Sequence, residues 1–183
     1  MIAAGWLIAL LGAIFTAQNL IAPLTLWLGL LPRDASHLHG ILTAHLAHGS
    51  WPHLLANALA LLITIPACRF VAPNLALGAG MVSGLAAGAL TWCIGTPGTL
   101  HVGISGVIFG LVGFLITAAL VRREWRAVLI GVGISLLYGG SLLLALPGEA
   151  TQGQRISWEM HLGGLIGGAG FAIATRAVKR EKS

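Results

Sequence analysis

Six apolar runs account for nearly the whole chain: residues 2–18, 51–68, 73–93, 104–121, 127–146 and 158–175, parted by charges or by Gly/Pro breaks. Each is close to the ~20 residues an α-helix needs to cross the hydrocarbon of a bilayer. A water-soluble domain of 183 residues must keep a large polar exterior. Here 57% of residues are hydrophobic, 8% are charged and the mean hydropathy is +0.92. The pattern predicts an all-α membrane protein: a bundle of six transmembrane helices forming a single domain over residues 1–183. No soluble domain, low-complexity tract or internal repeat interrupts it. The 26 glycines, without collagen or linker periodicity, suit closely packed membrane helices.

The N-terminus has neither the basic n-region nor the small-residue cleavage site of a secretory signal, so the first run is expected to remain as a span. That span runs to about Gln18-Asn19. An interfacial segment from Leu20 to Leu31 follows, broken by Pro23 and ended by Pro32. With the N-terminus inside, Arg69, Arg122, Arg123, Arg126, Arg176, Lys179, Arg180 and Lys182 fall on the cytoplasmic side, the last four in a basic tail, 176–183. Only Arg33 and Arg155 fall outside. This asymmetry follows the positive-inside rule, so topology explains the net charge of +5 and removes the main reason to expect nucleic acid as a partner. Tryptophans agree: Trp51, Trp92 and Trp158 sit at outer span ends, Trp6 and Trp125 at inner ends. The two cysteines, Cys68 and Cys93, lie near opposite faces in this topology, out of reach of a disulfide, and are expected to be small buried apolar residues.

Polar side chains in such a chain are costly and draw a functional reading. In a six-span chain that starts inside, spans two, four and six all begin at the outer face. The unusual residues lie at those beginnings: His53 and Asn57 on span two, Ser105 on span four and His161 on span six, 56 residues after the serine. At ~1.5 Å rise per residue, all four fall in the outer third of the bilayer. Ser50 is a fitting N-cap for span two, with Pro52 in its first turn, and His53 and Asn57, at i and i+4, share a face. Gly103, Gly106, Gly110 and Gly113 make a smooth stripe on span four, and His161, Gly164 and Gly168 share a face of span six. The stripes are expected to bring the two spans together so that the histidine reaches the serine. Ser105 lies ~100° from the mean of its own stripe on ideal geometry, so it must sit at the helix entry. The set has the chemistry of a hydrolase: a nucleophile, a base, and donors for a developing negative charge.

Taken singly, each signal has a plainer reading. Gly-x-Ser-Gly describes many helix–helix contacts, His161 could be an interface histidine, and His53 with Asn57 a structural pair. Their placement at the same ends of alternate spans is what the plain readings fail to explain. His37, His39, His45 and His48 invite a metal, but no His-Glu-x-x-His motif or third ligand is evident and none is expected. His48 is expected to hydrogen-bond loop backbone and hold the segment entering span two.

The residues also carry a family resemblance. The stretch from Leu42 to Asn57, with His48, His53 and Asn57, resembles the rhomboid pattern His-x4-His-x3-Asn. Gly103-Ile104-Ser105-Gly106 resembles the family's Gly-x-Ser-Gly motif, and His161-Leu162-Gly163-Gly164 with Gly168 resembles its His-x2-Gly-x3-Gly span. The match covers spans two to six in order. Rhomboids are intramembrane serine proteases built on six transmembrane helices. The resemblance implies Ser105 as nucleophile and His161 as general base, a dyad without aspartate. It implies an oxyanion site of His53, Asn57 and the Ser105 amide, with Gly103 letting substrate backbone approach and Phe109 walling the imidazole. Two departures concern loop structure and gating rather than chemistry: Arg33-Asp34 stands where many members have a Trp-Arg pair, and Ala44 where some have another histidine. The implied partners are the lipid bilayer and transmembrane protein substrates, cut near the outer face of the cell membrane, with both termini cytoplasmic and no cofactor. Two rivals are a non-proteolytic rhomboid-like protein that binds transmembrane clients, and a small transporter, which would need polar residues continuing across the bilayer.

Overall fold

The computed structural model describes residues 2–122, 157–180 and the isolated positions 129, 130 and 133. Among these residues the regular elements are all helical: α1 (Ile2–Leu20), α2 (Leu24–Leu28), a 3-10 turn (Ala35–His37), α3 (Gly40–Thr43), α4 (Trp51–Val71), α5 (Ala76–Ile94), α6 (Ser105–Arg122) and α7 (Trp158–Arg180). Local chemistry sets the ends. Ser50 is extended and its hydroxyl accepts the His53 amide at 3.3 Å, the expected cap of α4, while Pro52 occupies the first turn, where a missing N–H is harmless. The helix stops at Val71 because Ala72 precedes Pro73, whose ring disfavours helical geometry in its neighbour; Ala72 accordingly sits at φ −151°, ψ 74°. α5 ends where Gly95 turns extended.

α6 is the pillar of the assembly. It packs against α7, α5 and α4, and Phe114, Leu115 and Ala118 are fully buried. A helix apolar on every side belongs in a protein core or in lipid. The two glycine stripes meet as expected. A Cβ on Gly113 would lie 2.7 Å from the Leu165 carbonyl oxygen, and one on Gly164 or Gly168 would run into the carbonyls of Gly106 and Gly110. Only glycine lets the two backbones come this close.

Five of the six expected spans coincide with helices, with ends shifted by a few residues; the fifth, 127–146, lies almost wholly outside the described residues, as do Arg123, Trp125, Arg126, Arg155 and Lys182. Among the described residues, α4 and α5 are long and apolar enough to cross a membrane, whereas the apolar parts of α1 (Ala4–Leu20) and α6 (Ser105–Val121) are shorter.

The segment from Leu20 to Leu31 is more than interfacial. It contains α2, and Leu30 at its end is fully buried, exchanging backbone hydrogen bonds with His101 at 3.0 and 2.9 Å. Buried backbone must find partners, and a short antiparallel bridge supplies them. Further along, α3 lies on α5, where the Ile41 Cα sits 2.8 Å from the place a Cβ on Gly88 would occupy. Gln18 ties α1 to this region, accepting the His48 amide at 3.1 Å and donating to Thr25 Oγ1 at 2.8 Å. The cysteines are unpaired. Cys68 is buried, but Cys93 is exposed, so the expectation of two buried thiols holds for one of them; Cys93 lies at the end of α5, past the helix's packed face.

Candidate active site

Ser105 is the first residue of α6, where amides have no acceptor one turn earlier and point outward. This helix entry is what its offset from the glycine stripe required. His161 lies in the first turn of α7, its amide bonded to the Ser157 carbonyl at 3.2 Å. Close packing of α6 on α7 brings the side chains together: His161 Nε2 is 2.9 Å from Ser105 Oγ. The serine is partly exposed and the histidine buried. Phe109, one turn into α6, lies flat on the imidazole, with centroids 4.0 Å apart and an interplanar angle of 8°. For the serine to donate, the imidazole must carry its proton on Nδ1.

The second group comes from α4. Gly103 has φ +117°, a backbone state that L side chains rarely adopt. A Cβ there would also meet the His53 ring, 2.6 Å from Cε1 and 2.8 Å from Nε2, with Asn57 Nδ2 at 3.7 Å. The space that glycine leaves open is thus filled by His53, which sets that imidazole two residues from the serine. The Gly103 amide donates to the Ala44 carbonyl at 2.9 Å, fixing the turn. Gly106 and Gly164 hold α6 to α7 beside the pair, and Gly168 does so a turn deeper.

His48 does more than face the loop backbone at Leu46. Its Nε2 accepts a hydrogen bond from Asn57 Nδ2 at 3.1 Å, and its ring packs edge-on against His53 with centroids 5.1 Å apart. Gln18 holds the His48 main chain, through both its N–H and its C=O, and so fixes the backbone from which the ring reaches α4. Burial, then the neighbouring His53, pushes its pKa down to about 4, so at neutral pH it is an acceptor for the amide. His48 takes one Asn57 N–H, and the amide has a second to donate. His45 turns away, its Nε2 2.9 Å from the Gly84 carbonyl oxygen, which requires a ring N–H there; burial lowers its pKa as well. The pairing of His45 with His48 at a metal is therefore not formed, and among the described residues no three His, Cys, Asp or Glu side chains gather as ligands.

His101 escaped the sequence reading. It is buried four residues before Ser105 and bonded to Ser157, four residues before His161. The only trace in the sequence is the shared separation of 56 residues.

Fold and site define a class: an all-helical, largely apolar protein with a serine–histidine pair at the starts of two tightly packed helices. Comparison with known proteins supplies the family. Residues 35–178 match the rhomboid domain, and the chain belongs to the rhomboid family, whose members are membrane proteins. An uncharacterised protein of Mycobacterium tuberculosis is 33% identical over 158 residues, covering 84% of this chain and 65% of that protein. One of Mycobacterium leprae is 35% identical over 150 residues, 79% of this chain and 59% of the relative. Rhomboid-like protease 5 of Toxoplasma gondii is 30% identical over 147 residues, 78% of this chain but 17% of that protein. The chain thus spans less than two thirds of the length of the mycobacterial relatives.

Proposed function

We propose that this protein is an intramembrane serine endopeptidase that cleaves transmembrane segments of membrane proteins near the outer face of the bilayer. The observation that carries the reading is the 2.9 Å contact between Ser105 Oγ and His161 Nε2. His161 takes the serine proton as Oγ attacks the scissile carbonyl, then delivers it to the leaving amine. Water repeats the cycle on the acyl-enzyme. The carbonyl electrons pass to an oxyanion received by the Ser105 amide, a His53 ring N–H and the second Asn57 N–H, each such donor contributing typically ~3–4 kcal/mol at the transition state. Phe109 keeps the imidazole in plane with the hydroxyl. Gly103 serves this site by admitting the His53 ring.

In this reading the chain is one rhomboid-like domain of six spans, with both termini cytoplasmic and the site opening outward. Its substrates are transmembrane helices weakened by Gly or Pro near the cut, since a helix must unwind before its carbonyls can be attacked. A non-proteolytic, client-binding role would not need a serine and a histidine hydrogen-bonded to each other. The test is reconstitution of wild type and Ser105→Ala in liposomes with a labelled transmembrane substrate. Wild type cleaves and Ser105→Ala does not; equal cleavage by both removes the serine mechanism.

A further inference from the structure

Two polar rungs join α6 to α7. One is Ser105 with His161; the other, four residues earlier in each segment and just ahead of the helices, reverses the chemistry, with His101 Nδ1 2.7 Å from Ser157 Oγ. His101 is buried and doubly anchored. Its backbone N–H donates to the Leu30 carbonyl at 2.9 Å and its carbonyl accepts from the Leu30 amide at 3.0 Å. Its Nε2 lies 2.8 Å from Thr99 Oγ1.

The hydrogen bonds fix the tautomer. The Thr99 hydroxyl donates its one proton to the Thr96 carbonyl, so toward His101 it can only accept. Nε2 therefore carries the ring proton. Nδ1 is bare and accepts from the Ser157 hydroxyl. Burial lowers the His101 pKa while Glu159 pulls the other way, and the net effect keeps the ring neutral. Nothing in the proposed chemistry uses this group, yet it sits just ahead of both helix starts that carry the reacting side chains.

We propose that His101 is a positioning residue: by accepting a hydrogen bond from the Ser157 hydroxyl it ties the start of α7 to the turn before α6, and so sets the distance from His161 to Ser105. The inference rests on the protease reading above. A serine–histidine pair tolerates little misplacement, an error of ~1 Å costing on the order of 100-fold in rate. Because the clamp acts on the distance between the two reacting groups, the loss on this proposal falls on kcat.

The experiment measures kcat, KM and Tm in proteoliposomes for wild type, Ser105→Ala, Ser157→Ala, His101→Ala, the His101→Ala/Ser157→Ala double variant, His101→Asn and His101→Gln. Wild-type cleavage lost in Ser105→Ala tests the protease reading by itself. On the proposal, Ser157→Ala and His101→Ala each lower kcat ~10–100-fold with KM within about twofold, and together they cost no more than either alone. His101→Asn restores most of the rate, because its carbonyl oxygen stands near Nδ1; His101→Gln, whose amide reaches only to the level of Nε2, does not. Wild-type kcat in Ser157→Ala overturns the proposal, as does equal impairment of the Asn and Gln variants, which marks a volume effect. Amide exchange over residues 99–108 and 157–164 reads the clamp without any substrate: both alanine variants exchange faster there than wild type. Unchanged exchange overturns the clamp even if no substrate is cut.

Discussion

Gly106→Ala places a methyl group where the structure has no room. The new Cβ would stand 2.7 Å from Met160 Cγ, 2.7 Å from Ala87 Cβ and 3.0 Å from the Met160 carbonyl oxygen. Carbon atoms in comfortable contact are ~3.5–4.0 Å apart, so a gap of about 1 Å must open. Met160 Cγ can swing aside, but its carbonyl and Ala87 Cβ are fixed to helices, so α7 must move at the residue next to His161. A displacement of that size stretches the 2.9 Å Ser105–His161 contact past hydrogen-bonding distance. Turnover should fall on the order of 100-fold, and overpacking should cost about 1–3 kcal/mol of stability, or a Tm lower by several degrees. The control is Gly170→Ala, on the same α7, where a Cβ would meet nothing within 4 Å. There the better helix propensity should hold or slightly raise Tm, with activity unchanged. Cleavage in proteoliposomes and thermal unfolding in detergent are measured side by side. A Gly106→Ala protein with kcat within twofold of wild type refutes the claim that close α6–α7 contact delivers the imidazole to the hydroxyl.

Other perturbations separate the roles. His161→Ala should abolish turnover, whereas Asn57→Ala should only reduce it, by ~100- to 1,000-fold, because the Ser105 amide and His53 remain as donors; full activity in the histidine variant would refute the dyad. Phe109→Leu keeps an apolar neighbour but loses the flat wall, and kcat should drop up to ~10-fold with KM little changed, a stacked pair being worth ~0.5–1.5 kcal/mol. His48 gives a pH dependence of definite sign. Its folded pKa of about 4 lies below the ordinary 6.5, so between those values the unfolded chain binds more protons. The stability it confers is complete above about pH 6.5 and is lost as pH falls toward 4, with a slope of at most ~1.4 kcal/mol per pH unit. Tm measured across that range should decline less steeply in His48→Gln than in wild type, and equal slopes would assign the decline to other groups.

Several features of the molecule were legible without coordinates, and they share a local cause. The Ser50 cap, Pro52 in the first turn after it and the helical runs themselves depend on neighbours within a turn of the chain. The i, i+4 placement of His53 and Asn57 and the two glycine stripes follow from helix periodicity alone. Even the meeting of Ser105 with His161 could be expected, because alternating spans put both at one level of the bundle.

What remained hidden depends on packing between residues far apart in sequence. That His48 meets Asn57 while Gln18, 30 residues away, holds its main chain is a matter of packing that its sequence neighbours do not announce. The Cβ space at Gly103 is filled by His53, a contact that no spacing rule encodes. His101 looked like an ordinary loop residue until the fold laid it between Leu30 and Ser157. Cys93 proved exposed although its surroundings in sequence are as apolar as those of Cys68. Hydrophobicity selects the segments that leave water but is blind to direction. Which face of each helix meets which neighbour is chosen by steric fit and by the need of every buried polar group for a partner, and only the assembled helices settle both.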